Sequence, residues 1–149
     1  MSIVTDILVR SATGRPIAVV EVKNPQDLSL PVATTIRRDM ISHGLLADVP
    51  YFLLVSQDQG YLWMGSQTEN TDDYPPITLP MRSVVKRYLP VADSNDRLRG
   101  SELELVVIQW LRDLAESRDK LDDEPERLLA SSGFLDAIRR AAVIPEFHV

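Results

Sequence analysis

The sequence predicts an α/β layered domain with a mixed sheet of about four strands and a C-terminal helical part. Three observations predict it. Two β-rich runs near the amino end, Val4 to Arg10 and Pro16 to Pro25, carry apolar residues on both faces, so their sheet must be covered on both sides. Tyr51-Phe52-Leu53-Leu54-Val55 is a short continuous apolar run, the signature of a buried central strand. From Ser101 onward, Leu103, Val106, Val107, Trp110, Leu111 and Leu114 recur at the spacing of one helix face.

The first two runs are joined by Ser11-Ala12-Thr13-Gly14-Arg15, a polar turn with a glycine, and therefore read as a β-hairpin. A turn centred on Thr13-Gly14 without a bulge sets Asp6 opposite Glu21 and Val4 opposite Lys23. Directly opposed residues share a face, with Cβ atoms roughly 4.5–5.5 Å apart, and residues two apart on one strand share it too. Asp6, Glu21 and Lys23 are thus gathered on one face with Leu8, Ile17 and Val19. Ile7, Val9, Val20 and Val22 occupy the other.

Two carboxylates that close, on otherwise apolar strands, repel each other unless a cation sits between them. A hard ion such as Mg²⁺ binds through one or two carboxylates together with water and phosphate oxygens. An ammonium beside it suits a water drawn toward the metal, or the charge developing on a phosphate. Asp6, Glu21 and Lys23 therefore point to metal-assisted phosphodiester hydrolysis.

The same residues carry a family resemblance. An acid opening one strand, a hairpin, and Glu-x-Lys ending the next strand resembles the PD-(D/E)XK nuclease superfamily. Asp6-Ile7-Leu8-Val9 followed by Gly14-Arg15-Pro16-Ile17-Ala18-Val19-Val20-Glu21-Val22-Lys23-Asn24-Pro25 is closest in wording to the nuclease domain of type I restriction enzyme motor subunits. Thr5 stands where that family has Pro, a residue that ligates nothing. The resemblance implies a restriction-endonuclease-like core and DNA as partner. It also implies Mg²⁺ (or Mn²⁺) held by Asp6, Glu21 and the backbone carbonyl of Val22, with Lys23 orienting the nucleophilic water. Such cores usually begin with a helix and a strand ahead of the hairpin, the helix often supplying a further Glu. This sequence reaches Asp6 almost at once, so the helix at 102–118 is expected to pack in that place, with Glu102 or Glu104 replacing the acid. A second subunit over that face is the other arrangement the sequence leaves open.

After Asn24-Pro25, Val32, Ala33, Ile36, Met40 and Ile41 predict a helix over 32–43, with Pro31 in its first turn and Gly44 as its cap. Thr35 and Asp39 fall where the resembling family carries Gln and Tyr. Arg37 and Arg38 are candidates for phosphate contact from this helix, weighed against a solvated face. His43 reads as an end-of-helix residue favourable to the dipole.

Gln57-Asp58-Gln59-Gly60 turns the Tyr51–Val55 strand into Tyr61–Met64, a second hairpin in which Trp63 reads as packing rather than as a base-stacking platform. Residues 65–80 read as an irregular surface loop, with Asp72 and Asp73 in a solvated turn. Leu79 to Tyr88 reads as a short basic helix whose Lys86 and Arg87 are the second candidates for nucleic acid. Ser101-Glu102-Leu103-Glu104 forms a capping box, giving a helix from 102 to about 118. Glu126 to Arg140 gives one or two more helices, interrupted near Ser132-Gly133. The segment from Ile144 to Val149 receives no assignment.

At 149 residues and 44% hydrophobic content, one domain of ordinary size is expected, with a nuclease-like core over 1–90 and packing helices over 101–142. The absence of cysteine excludes a disulfide scaffold and any thiolate metal site. No apolar run approaches the roughly 18 residues a membrane span requires, and the amino end lacks a basic-then-apolar signal, so a soluble cytoplasmic protein is expected. The net charge of −6 opposes a dedicated nucleic-acid binder, although Arg10, Arg15, Arg37, Arg38, Arg82, Lys86 and Arg87 cluster near the core. Two functions follow. One is a Mg²⁺-dependent DNA nuclease of a restriction, defence or mobile-element system. The other is an inactive nuclease-fold module binding a protein partner, in a homodimer or larger complex, or nucleic acid.

Overall fold

The first turn closes as its residues demand. Gly14, at φ +86°, sits in the left-handed region that glycine tolerates, its N–H donates to Ser11 O at 2.9 Å, and Ser11 N–H donates to Arg15 O at 2.8 Å. In the computed structural model, which describes residues 6–25, 28–44, 49–64, 76–90, 97–116 and 123–146, this turn joins β1 (Ile7–Arg10) to β2 (Pro16–Val22). Ile7 pairs with Val20, Leu8 with Val19 and Val9 with Ala18, the register expected from the sequence. An irregularity follows between Val9 and Arg10, where Arg10 pairs with Pro16. The residue left over is Ile17. It packs with the core on the Ile7 side and not, as a hairpin without a bulge requires, on the Glu21 side.

The chain continues through α1 (Leu30–Ser42), β3 (Tyr51–Val55), β4 (Gln59–Met64), β5 (Ile77–Pro80), α2 (Arg82–Tyr88), α3 (Gly100–Glu116), α4 (Glu126–Ser131), α5 (Phe134–Ala137) and β6 (Ala142–Pro145). The strands form one sheet in the order β5-β4-β3-β2-β1-β6. Only β2 and β3 run parallel; the other neighbours are antiparallel. A parallel pair needs a crossover, and α1 supplies it.

Alternation along the strands then sorts the layers. Val19, Phe52, Leu54, Tyr61 and Trp63 face α1 and pack with Leu28, Ala33, Met40 and Val49. Ile7, Val9, Val20, Val22, Leu53, Val55, Leu62 and Leu79 face the other way, onto α2, α3, α4 and α5. The fold is thus an α/β sandwich around a mixed sheet, with six strands where about four were expected.

The two extra strands lie on the edges. Ile77–Pro80, read from the sequence as loop, pairs with β4, while residues 65–75, including Asp72 and Asp73, lie outside the described residues. Ala142–Pro145, partly in the unassigned C-terminal segment, pairs with β1, so the C-terminal part is not only helical. Both are four residues long and end in proline, which edges tolerate and which reads from sequence as a break. The start of α3 also differs. Arg99 N–H donates to Glu102 Oε1 at 2.9 Å, so the capping acid is Glu102 and the helix opens at Gly100.

A buried carboxylate ties the helical layer together. Glu126, 1% exposed, accepts from Arg87 at 2.7 Å and from Trp110 Nε1 at 3.3 Å, both on Oε1. Trp110 is itself fully buried. Removing the cation leaves a desolvated charge behind, which costs more than the pair contributes. Because the guanidinium is itself nearly half exposed and water can partly replace it, Arg87→Met is expected to lower the unfolding free energy by about 1–2 kcal/mol. Adding Glu126→Gln should recover part of the loss in urea titrations, and equal stability of wild type and Arg87→Met contradicts this role.

Candidate active site

The β1–β2 ladder stops at Ile7 and Val20, and one step further the side chains take over from the backbone. Asp6 N–H donates to Glu21 Oε1 at 2.8 Å, and Val22 N–H donates to Asp6 Oδ2 at 2.8 Å. Each acid thus holds an amide of the other acid's strand end. Lys23 Nζ lies 3.9 Å from Glu21 Oε2, with the lysine side chain half exposed and Glu21 only 5% exposed. The structure brings Asp6, Glu21 and Lys23 together, as the hairpin register required.

Val22 is placed by its peptide. Lys23 N–H donates to Val55 O at 3.0 Å, on the β3 side. In a trans peptide the carbonyl points opposite to the N–H, so Val22 C=O points toward β1 and Asp6. One oxygen of each carboxylate is committed to an amide, and the second oxygen of each is not engaged by those amides. Two carboxylates and a carbonyl at the end of a hairpin fit a hard cation that completes its shell with water and phosphate. Among the described residues no three acidic or histidine side chains stand close enough to hold an ion by themselves.

The charge balance of the pair is unfavourable without a cation. Burial, and then the neighbouring Asp6 carboxylate, push the Glu21 carboxyl up to about 8, against the opposing pull of the Asp6 amide and the Lys23 ammonium. Glu21 therefore carries a proton at neutral pH, and a divalent ion bound there must displace it.

The other candidates are dispersed. Arg37 is not on an exposed face. It lies in the buried stripe of α1 with Ala33 and Met40, 1% exposed, its guanidinium 5.5 Å from the Trp63 ring centroid. Trp63 is core, stacked on Phe52 at 5.5 Å between centroids. Arg38, Thr35 and Asp39 are exposed. Lys86 is exposed on α2, and Arg87 is committed to Glu126; α2 covers the sheet face opposite Glu21. The helix expected to bring Glu102 or Glu104 over the acidic pair is α3, and its apolar side packs on that same opposite face. His43 ends α1, with Nδ1 2.7 Å from Asp39 O.

Two features were not read from the sequence. Glu146 N–H donates to Asp6 O at 2.9 Å, so the last described residue continues the β1–β6 pairing next to the acidic pair. Asn24, Gln57 and Arg97 interlock just beyond Lys23. The Val143-Ile144 pair was too short a signal for the first, and nothing local links residues so far apart for the second.

Comparisons of the chain with protein-family models, with curated proteins and with solved structures find no match. Among the described residues no helix is long and apolar enough to cross a membrane.

The raised Glu21 carboxyl makes stability depend on pH. The unfolded chain releases this proton near 4.5 and the folded chain near 8, so the folded state binds more protons throughout that window. Unfolding therefore becomes easier as pH rises through it. Glu21→Gln stays neutral and keeps an acceptor for the Asp6 amide. In EDTA, urea titrations should show wild type losing several kcal/mol relative to Glu21→Gln between about pH 5 and pH 8.5. A constant difference across that range contradicts the protonated Glu21.

Proposed function

We propose that the protein is a Mg²⁺-dependent DNA nuclease that hydrolyses phosphodiester bonds within a restriction, defence or mobile-element system. The observation that carries this reading is the reciprocal clip of Asp6 and buried Glu21, with the Lys23 ammonium 3.9 Å from the second Glu21 oxygen. The resemblance to PD-(D/E)XK nucleases rests on those three residues and the hairpin that joins them. The mixed sheet, with a helix crossing between parallel β2 and β3, is compatible with a restriction-endonuclease-like core. DNA and the wider system follow from the resemblance.

In this reading Asp6, Glu21 and the Val22 carbonyl hold the ion. When bound, the ion supplies a Lewis acid for a phosphoryl oxygen and lowers the pKa of its water. Glu21 gives up its proton on binding, so ion affinity rises with pH up to about 8. The Lys23 ammonium, half exposed at the strand end, orients the attacking water and offsets charge gathering on the phosphate.

A specific observation favours a second reading. Each carboxylate satisfies a backbone amide, a task that needs no ion, while Arg37 is taken up by the core and Arg87 is engaged by Glu126. An inactive module that retains the clip to close its hairpin, and works by binding a partner, would look the same.

Incubation with supercoiled and single-stranded DNA in Mg²⁺ or Mn²⁺ separates the two. Wild type should cleave, and Glu21→Ala and Lys23→Ala should each lose at least about 100-fold in rate. Cleavage that persists in both variants, or never appears in wild type, rejects the nuclease. Thermal stabilisation of wild type by Mn²⁺, absent in Asp6→Ala, would then still mark an ion site.

A further inference from the structure

Lys23 has a long flexible side chain, half exposed, and its ammonium stands 3.9 Å from Glu21, with no closer acidic partner among the described residues. Packing does not fix such a group, so its place is set by its own backbone. On the amino-terminal side that backbone is held by the clip and by the Lys23 N–H bond to Val55 O. On the carboxy-terminal side it is held by something the nuclease reading does not use.

Asn24 follows directly, and its side chain emerges on the opposite face from Lys23. Nδ2 donates to Gln57 Oε1 at 2.8 Å and to Leu98 O at 2.8 Å. Oδ1 accepts from Gln57 N–H at 3.0 Å and from Arg97 Nη2 at 2.7 Å. Two donors and two lone pairs are the whole capacity of an asparagine side chain, and all are used. Arg97 Nη2 also donates to Pro25 O at 2.6 Å, while Nη1 pairs with Asp58 at 2.5 Å. Asp58 in turn takes Arg82 at 3.2 Å, and Gln57 Oε1 accepts Leu98 N–H at 2.7 Å. The end of β2, the β3–β4 turn and the chain leading into α3 are locked together at one point.

We propose that Arg97 and Asn24 are positioning residues: their bracket fixes the backbone after Lys23 and thereby aims its ammonium at the Glu21 side of the site. Neither touches Lys23 Nζ, so both act through the main chain. The catalytic part of this inference rests on the nuclease reading; the backbone part does not. A planar guanidinium serves here because one fork reaches Asp58, Asn24 and Pro25 together, which a single ammonium cannot do.

Hydrogen exchange by NMR and DNA cleavage test the two parts in Arg97→Ala and, as the milder change, Arg97→Lys. Exchange of the Lys23 amide should speed up by about tenfold or more in Arg97→Ala, and less in Arg97→Lys, while the Val20 amide is unchanged. Cleavage should fall about 10- to 100-fold in kcat with KM and Mn²⁺ stabilisation unchanged, because the ion's ligands remain. An unchanged Lys23 amide in a folded variant overturns the bracket, whatever the activity. Loosened exchange with unchanged kcat in an active enzyme overturns the positioning role. If wild type cleaves nothing, the nuclease reading and the positioning of a catalytic group fall together, and the exchange result alone decides the bracket.

Discussion

Two carboxyl groups meet at the open end of the first hairpin, one of them out of reach of water, and this conflict of charge governs the rest of the site. Burial and mutual repulsion both disfavour the ionised form of Glu21. The arrangement persists because each acid receives a backbone amide from the neighbouring strand end. The clip therefore closes the hairpin and at the same time leaves an oxygen on each side chain turned away from its amide. A proton satisfies the pair at neutral pH, and in the proposed nuclease a divalent ion takes its place.

The sheet topology explains why the conflict sits at this point. β2 is central, with β1 antiparallel on one side and β3 parallel on the other, and α1 carries the chain across. Beyond Val20 the strand loses its backbone pairing with β1, while β3 stays beside it as far as the Lys23 N–H bond to Val55 O. There the chain needs other partners, and it finds Asp6 on one edge and Asn24, Gln57 and Arg97 on the other. The helical layer meets this end of the sheet through Leu98, just ahead of α3.

The hairpin and its register were legible because a glycine turn and two alternating runs leave little freedom, and opposing Asp6 to Glu21 follows from counting. The central strand Tyr51–Val55 and the long amphipathic helix were legible for the same reason, since their periodicity is strong. What escaped was of another kind. The edge strands Ile77–Pro80 and Ala142–Pro145 are four residues each and end in proline, so only their partners define them. Ile17 changed sides because a bulge cannot be counted in advance. Arg37 reads as a surface charge, yet Trp63 gives its guanidinium a buried ring to lie against. Arg87 reads as a basic patch, yet a buried Glu126 far along the chain claims it. Charges are legible as charges; whether they face solvent or another buried group depends on contacts between distant segments.

The central claim is that the clip is one half of an ion site. Crystals soaked in Mn²⁺ above pH 8 would test it most directly through anomalous scattering. The account predicts a peak within about 2.5 Å of an oxygen from both Asp6 and Glu21, with the Lys23 ammonium nearby but outside the ligand shell. Crystals that show no such peak, with both carboxylates still bound to their amides alone, would contradict it.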